Sequence, residues 1–146
     1  MILYLRKTNN IFIVDSGEDT IKNGEIVSAE IKRPRNYEFH KKFFALLNYS
    51  YECWEPEELE YRGRPVGKDF DRFRKDIIIL AGYYDVVTNI KGEVKAEAKS
   101  ISFGKMEEEE FEKLYSDVIN VILKHILTNY SRDDIDVMIS EIIGFS

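Results

Sequence analysis

Pro34-Arg35-Asn36-Tyr37-Glu38-Phe39-His40-Lys41-Lys42-Phe43-Phe44-Ala45-Leu46-Leu47-Asn48-Tyr49-Ser50-Tyr51-Glu52-Cys53-Trp54 is the stretch in which the chain changes its period. Before it, residues 25–33 alternate, with Val27, Ala29 and Ile31 on one side and Ile26, Ser28 and Glu30 on the other. A period of two reads as a half-buried strand. Pro34 stops that strand, and Asn36 can accept the first free amide of a helix. From there Phe39, Phe43, Leu46, Leu47 and Ser50 recur at the 3.6 period, and Trp54 closes the stripe. A helix running to about Cys53 follows, with Cys53 and Trp54 expected in the core. Strand followed by helix, with no βαβ alternation later in the chain, predicts an α+β fold.

Working outward, residues 2–8 and 11–15 flank Asn9-Asn10 and read as a hairpin, because Asn tolerates positive φ in a two-residue turn. Residues 55–66 read as a loop. A second helix is expected from about Lys68 to Ala81, with Phe70, Phe73, Ile77 and Leu80 inward and Gly82 as its stop. Residues 83–89 and 93–103 form a second hairpin around Asn89-Ile90-Lys91-Gly92. A long helix spans about 106–128, and its apolar Val118–Leu127 segment suits a central position or a dimer seam. Ser131 caps a last helix that Gly144 ends. The expected architecture is one small antiparallel sheet, made from the N-terminal and central hairpins, packed against three to four helices. No internal repeat or long linker divides residues 1–146, so a single domain is expected.

Composition narrows the classes. The 146 residues include 44% hydrophobic and 13% aromatic side chains, enough for a core and too many for long disorder. Cys53 stands alone and there are 2 His, so neither a disulfide framework nor a cysteine zinc site is expected. No apolar run approaches the ~20 residues of a membrane span. The first residues lack the order of a secretory signal. A soluble, cytoplasmic protein without a cofactor is the simplest expectation.

The net charge of -6 hides sign changes along the chain. Residues 31–42 carry a net +4, residues 52–60 carry -5, residues 62–75 carry +4, and residues 106–146 carry -7. The first basic segment holds Lys32, Arg33, Arg35, Lys41 and Lys42, with His40 beside them. Cations at a helix start oppose the helix dipole, which hints that they serve an anion. Free amides there add to a phosphate cradle. The second segment holds Arg62, Arg64, Lys68, Arg72, Arg74 and Lys75. At i, i+4 and i+7, Lys68, Arg72 and Lys75 form a ridge that can track a nucleic-acid backbone. Tyr37, Tyr61, Tyr83 and Tyr84 supply aromatic faces for bases. The bland reading of each tyrosine is a half-buried core residue, and of each charge a solvated surface. His125 reads as structural, as do Phe103 and Met106.

An enzymatic reading rests on Asp85 followed by Glu97-Ala98-Lys99. Two carboxylates that hold Mg²⁺ and a lysine that steadies the attacking water make the pattern of restriction-endonuclease-like nucleases. Alternation on an exposed strand yields the same spacing by chance. A third reading is a protein-only role, in which the acidic surface binds and inhibits another protein.

Three blocks carry a resemblance. They are Arg33-Pro-Arg-Asn-Tyr-Glu-Phe-His-Lys-Lys-Phe-Phe-Ala-Leu-Leu-Asn48, Phe70-Asp-Arg-Phe-Arg-Lys-Asp-Ile-Ile-Ile-Leu-Ala-Gly82, and Lys99-Ser-Ile-Ser-Phe-Gly-Lys-Met106 followed by Phe111. Over about residues 25–130 the chain resembles a family of small phage and prophage proteins of unassigned function. More distantly it is similar to the lambdoid Orf (NinB) recombination mediators. That resemblance implies a recombination accessory protein in a bacterial host, not a catalyst. It implies a homodimer that binds single-stranded or junction DNA beside a single-strand-binding protein and a recombinase. No catalytic residue transfers with it. The expected DNA contacts are Lys32, Arg33, Arg35, Tyr37, His40, Lys41, Lys42, Arg64, Lys68, Arg72, Lys75 and Tyr84.

Overall fold

A computed structural model describes residues 2–32, 37–102 and 105–144. Its elements are four helices and six short strands, so the fold is α+β as the change of period predicts. The chain forms two compact units, residues 1–31 and residues 32–145.

In the first unit, β1 (Leu3–Thr8) and β2 (Ile11–Gly17) pair antiparallel. The two-residue turn sits where the sequence puts it, with Asn9 at φ 57°. The register slips between Tyr4 and Leu5, which leaves Asp15 as the extra residue of a bulge. Arg6 reaches that carboxylate at 2.7 Å. Gly17 is required at the end of β2. Its φ is 111°, and a Cβ there would stand 2.5 Å from the Ile2 carbonyl oxygen. Beyond it, residues 25–32 form no strand, contrary to the alternating pattern. Alternation makes a strand only where a neighbour accepts the backbone hydrogen bonds, and none does so here. Ile26 is left 98% exposed.

In the second unit, α1 (Tyr37–Cys53) buries Phe43, Leu46, Leu47 and Ser50, the expected stripe. Ser50 is tolerated at full burial because its hydroxyl donates to the Leu46 carbonyl at 2.7 Å. Trp54 packs on the core, but Cys53 is exposed, not buried. It falls at the rim of the stripe. The proposed cap Asn36 lies outside the described residues.

Two residues each form β3 (Glu60–Tyr61) and β4 (Arg64–Pro65), a hairpin where the sequence suggested loop. Next comes α2 (Phe70–Leu80), capped by Asp69, whose carboxylate accepts the Arg72 amide at 2.8 Å. Gly82 stops it as expected, at φ 94°. The Gly82 and Tyr83 amides bond back to the Ile79 and Ile78 carbonyls, the paired closure that favours glycine. The inward face differs from expectation. Ile78 is buried and Leu80 is exposed, because α2 packs on α1, α3 and a strand at once, which rotates the covered arc.

β5 (Tyr84–Thr88) and β6 (Val94–Ala98) form the central hairpin. Its turn is organised by Asn89, whose side-chain oxygen accepts the Lys91 and Glu93 amides at 2.9 Å each. β6 ends at Ala98, opposite Tyr84; residues 99–102 form no strand, and Phe103 lies outside the described residues. Among the described residues the strands make three separate two-stranded ladders, not one shared sheet. A hairpin needs a further partner strand to grow; α2 covers β6 instead.

α3 (Glu108–His125) is the central element. Phe111, Leu114, Val118, Ile119 and Ile122 are buried, and Val121, Leu123 and Ile126 pack on the same core. Its all-round apolar segment is thus used within one chain. Met106 is buried as expected, whereas His125 is exposed in the last turn, at the favourable negative end of the helix. α4 (Arg132–Gly144) closes the unit against α1, where the Tyr49 and Tyr130 hydroxyls meet at 2.6 Å.

Candidate nucleic-acid interface

The first basic segment begins with Lys32, which is exposed. Arg33 and Arg35 lie outside the described residues. In the first turns of α1, Lys42 is exposed and Lys41 is half-buried, its ammonium 4.6 Å from the centre of the Tyr37 ring. One face of Tyr37 is thereby occupied. Among the described residues no carboxylate forms an ion pair with Lys41 or Lys42. His40 is drawn inward. Its ring lies 4.8 Å from Phe44 and stacks at 6.0 Å on Phe111, so its first role is packing.

The second segment is divided by the fold. Lys68 stands before α2, and its ammonium donates to the carbonyls of Tyr51 at 2.7 Å and Trp54 at 2.9 Å. It lies 4.5 Å from the Tyr51 ring centre. Lys68 therefore satisfies the open carbonyls at the end of α1, where a cation also suits the dipole. On α2 each cation has an aspartate one turn away. Arg72 pairs with Asp76 at 3.1 Å, Arg74 with Asp71 at 2.7 Å, and Lys75 with Asp71 at 3.0 Å. Arg74, then Lys75, holds the Asp71 carboxyl below its usual range. The ridge is geometrically present, but each of its α2 cations is engaged by an aspartate, two carboxylates serving three bases. The aspartate at position 76 falls just past the basic run, which is why charge counting along the chain misses it.

Arg62 and Arg64 escape that pairing. Arg62 and Gly63 both have positive φ, at 53° and 77°, and form the tight turn between β3 and β4. The Arg62 guanidinium lies 5.1 Å from the centre of the Tyr61 ring. Both arginines are exposed, and among the described residues no carboxylate forms an ion pair with either. Read as a loop, residues 55–66 give no hint that Tyr61 and the arginines are held together. The Arg62-Gly63 pair was the available signal.

Lys41 and the base of the 55–67 segment belong to opposite ends of α1. Lys41 is in its first turns, and Lys68 ties the 55–67 segment to its last. At 1.5 Å per residue the separation along the helix is about 20 Å.

On the central hairpin, Tyr83 and Tyr84 differ. The Tyr83 hydroxyl donates to Asp117 at 2.7 Å. Burial, then that bond, pushes its phenol up to about 12. Tyr84 is exposed and pairs across the ladder with Ala98. Asp85 stands directly opposite Glu97, and Lys99 lies two residues on along the same face. Like charges placed opposite one another are unfavourable. Among the described residues no group of three metal-ligating side chains is found. A groove of about 350 Å³ lies between α2 and β6. Asp69, Asp71, Arg72, Lys75, Lys95 and Glu97 line it, with acids and bases in equal number.

Among the described residues no helix is long and apolar enough to cross a membrane. Neither the curated proteins nor the solved structures contain a match to the chain. Residues 5–60 and 60–145 match the family model described as "Protein of unknown function (DUF1367)", which spans nearly the whole sequence, and the chain belongs to that family.

Proposed function

We propose that this protein is an accessory factor of phage recombination, binding single-stranded or branched DNA without strong sequence preference. The observation that carries this reading is the recurrence of one local design. A cation with no acidic partner lies on a tyrosine ring in two places, Lys41 on Tyr37 at the start of α1 and Arg62 on Tyr61 at the β3–β4 turn. Cations serve phosphates, and aromatic faces serve bases of any identity. Such a surface binds by charge and stacking and reads little sequence. In this reading it acts in a bacterial host, as a homodimer, beside a single-strand-binding protein and a recombinase. It needs no cofactor and catalyses no reaction.

The test is a set of gel shifts with single-stranded, duplex and three-way-junction DNA across a salt series. Affinity for the single strand should fall with a log–log slope of about -0.7 for each phosphate engaged. A flat titration, or retention of none of the three DNAs, would refute the reading. A second reading draws on Asp85 facing Glu97 with Lys99 beside them: a Mg²⁺-dependent nuclease. It requires cleavage of labelled DNA that depends on Mg²⁺ and disappears in Glu97→Ala.

A further inference from the structure

Residues 55–67 leave the core and return to it at one point. Lys68 closes their base by donating to the carbonyls of Tyr51 and Trp54. Above that clamp the Val66 amide donates to the Leu59 carbonyl at 2.9 Å, and the β3–β4 ladder follows. The excursion is therefore an ordered finger, and its closure entropy is already spent before anything binds. Its tip does nothing for the core. Tyr61 is 65% exposed, and Arg62 and Arg64 are exposed beside it. An aromatic ring kept in water on a pre-formed turn, with two arginines that lack acidic partners, has the chemistry of a contact point.

We propose that the tip Tyr61-Arg62-Gly63-Arg64 stacks one unpaired base of a DNA strand on Tyr61, while Arg62 and Arg64 hold the flanking phosphates. This rests on the single-strand binding proposed above and assigns it a site. It also moves the working part of the second basic segment away from α2, whose cations are ion-paired. Glu55, Glu57, Glu58 and Glu60 are exposed along the stem and repel a backbone. They confine the contact to the tip, so the finger engages two phosphates and not a long track.

Fluorescence anisotropy of the full chain with labelled oligo-deoxythymidylate tests this, at about 20 nucleotides, longer than common single-strand sites. Tyr61→Ala should weaken binding about 5- to 150-fold, the range for losing one stacked base. Tyr61→Phe keeps the ring and should stay within about twofold of the parent. The double variant Arg62→Ala/Arg64→Ala should make the log–log salt slope shallower by about 1.4, for two phosphates. All three side chains lie outside the core, so thermal unfolding should not move. If the parent binds the oligonucleotide and Tyr61→Ala binds equally well, the assignment to the finger is overturned and the general reading stands. If the parent does not bind it, both fall.

Discussion

Tyr83 and Tyr84 are chain neighbours with opposite duties, and the difference is set by what stands across from each. Tyr83 closes α2 through its amide and reaches α3 through its hydroxyl, which donates to Asp117. Tyr83→Phe should cost about 1.5–3 kcal/mol in urea unfolding, the range for a hydrogen bond to a charged group. Tyr84→Phe, with an exposed ring, should cost nearly nothing. Equal effects would mean the Asp117 bond is not a tie of the fold. Lys68 makes a similar point. Its spacing from Arg72 and Lys75 is visible in the sequence, but its ammonium is aimed at the open carbonyls of another helix. Helical spacing predicts which residues share a face. It does not predict that an unsatisfied helix end 14 to 17 residues earlier will arrive beside one of them.

At the scale of elements, the helices follow the amino-acid sequence closely because their stop and start signals are local. Ser131 and Asp134 cap α4 reciprocally, the Ser131 amide donating to the Asp134 carboxylate at 2.8 Å and the Asp134 amide to the Ser131 hydroxyl at 3.2 Å. The backbone bond, then the hydroxyl, lowers the Asp134 carboxyl from its ordinary 3.8. A carboxyl lowered in the folded state contributes stability above its unfolded value, and loses it as pH falls through the folded value. Asp134→Asn should therefore lower the melting temperature at neutral pH, and the gap to the parent should close below pH 3.8. A gap that persists unchanged in acid would show that the charged form is not what caps the helix. Strands were less readable than helices for a related reason. Residues 25–31 carry the pattern of a strand and lack a partner, whereas Tyr61 to Arg64 carry almost no pattern and pair around their turn.

At the scale of the molecule, every buried hydrophobic residue of the core cluster lies between Phe43 and Ile139, within the second unit. The first unit is a two-stranded ladder with Phe12, Ile13 and Val14 exposed, and such a ladder adds little independent stability. Removal of residues 1–31 should leave a cooperative unfolding transition with a melting temperature within a few degrees of the parent's. Loss of cooperativity on truncation would show that the hairpin completes the core. The total of -6 is equally a property of the whole that misleads about its parts. Asp71 and Asp76 pair with all three bases of α2 and leave it a net +1, while Lys42, Arg62 and Arg64 are left without such partners.

Periodicity and caps were enough to specify the α+β class, the four helices, the N-terminal and central hairpins and the stripe of α1. Those features arise from interactions between residues a few positions apart, and such interactions can be read along a chain. Which apolar faces were covered, which cations were neutralised and which tyrosine was offered to solvent came from the packing. Those outcomes depend on groups distant in sequence, whose meeting is decided only when the core closes.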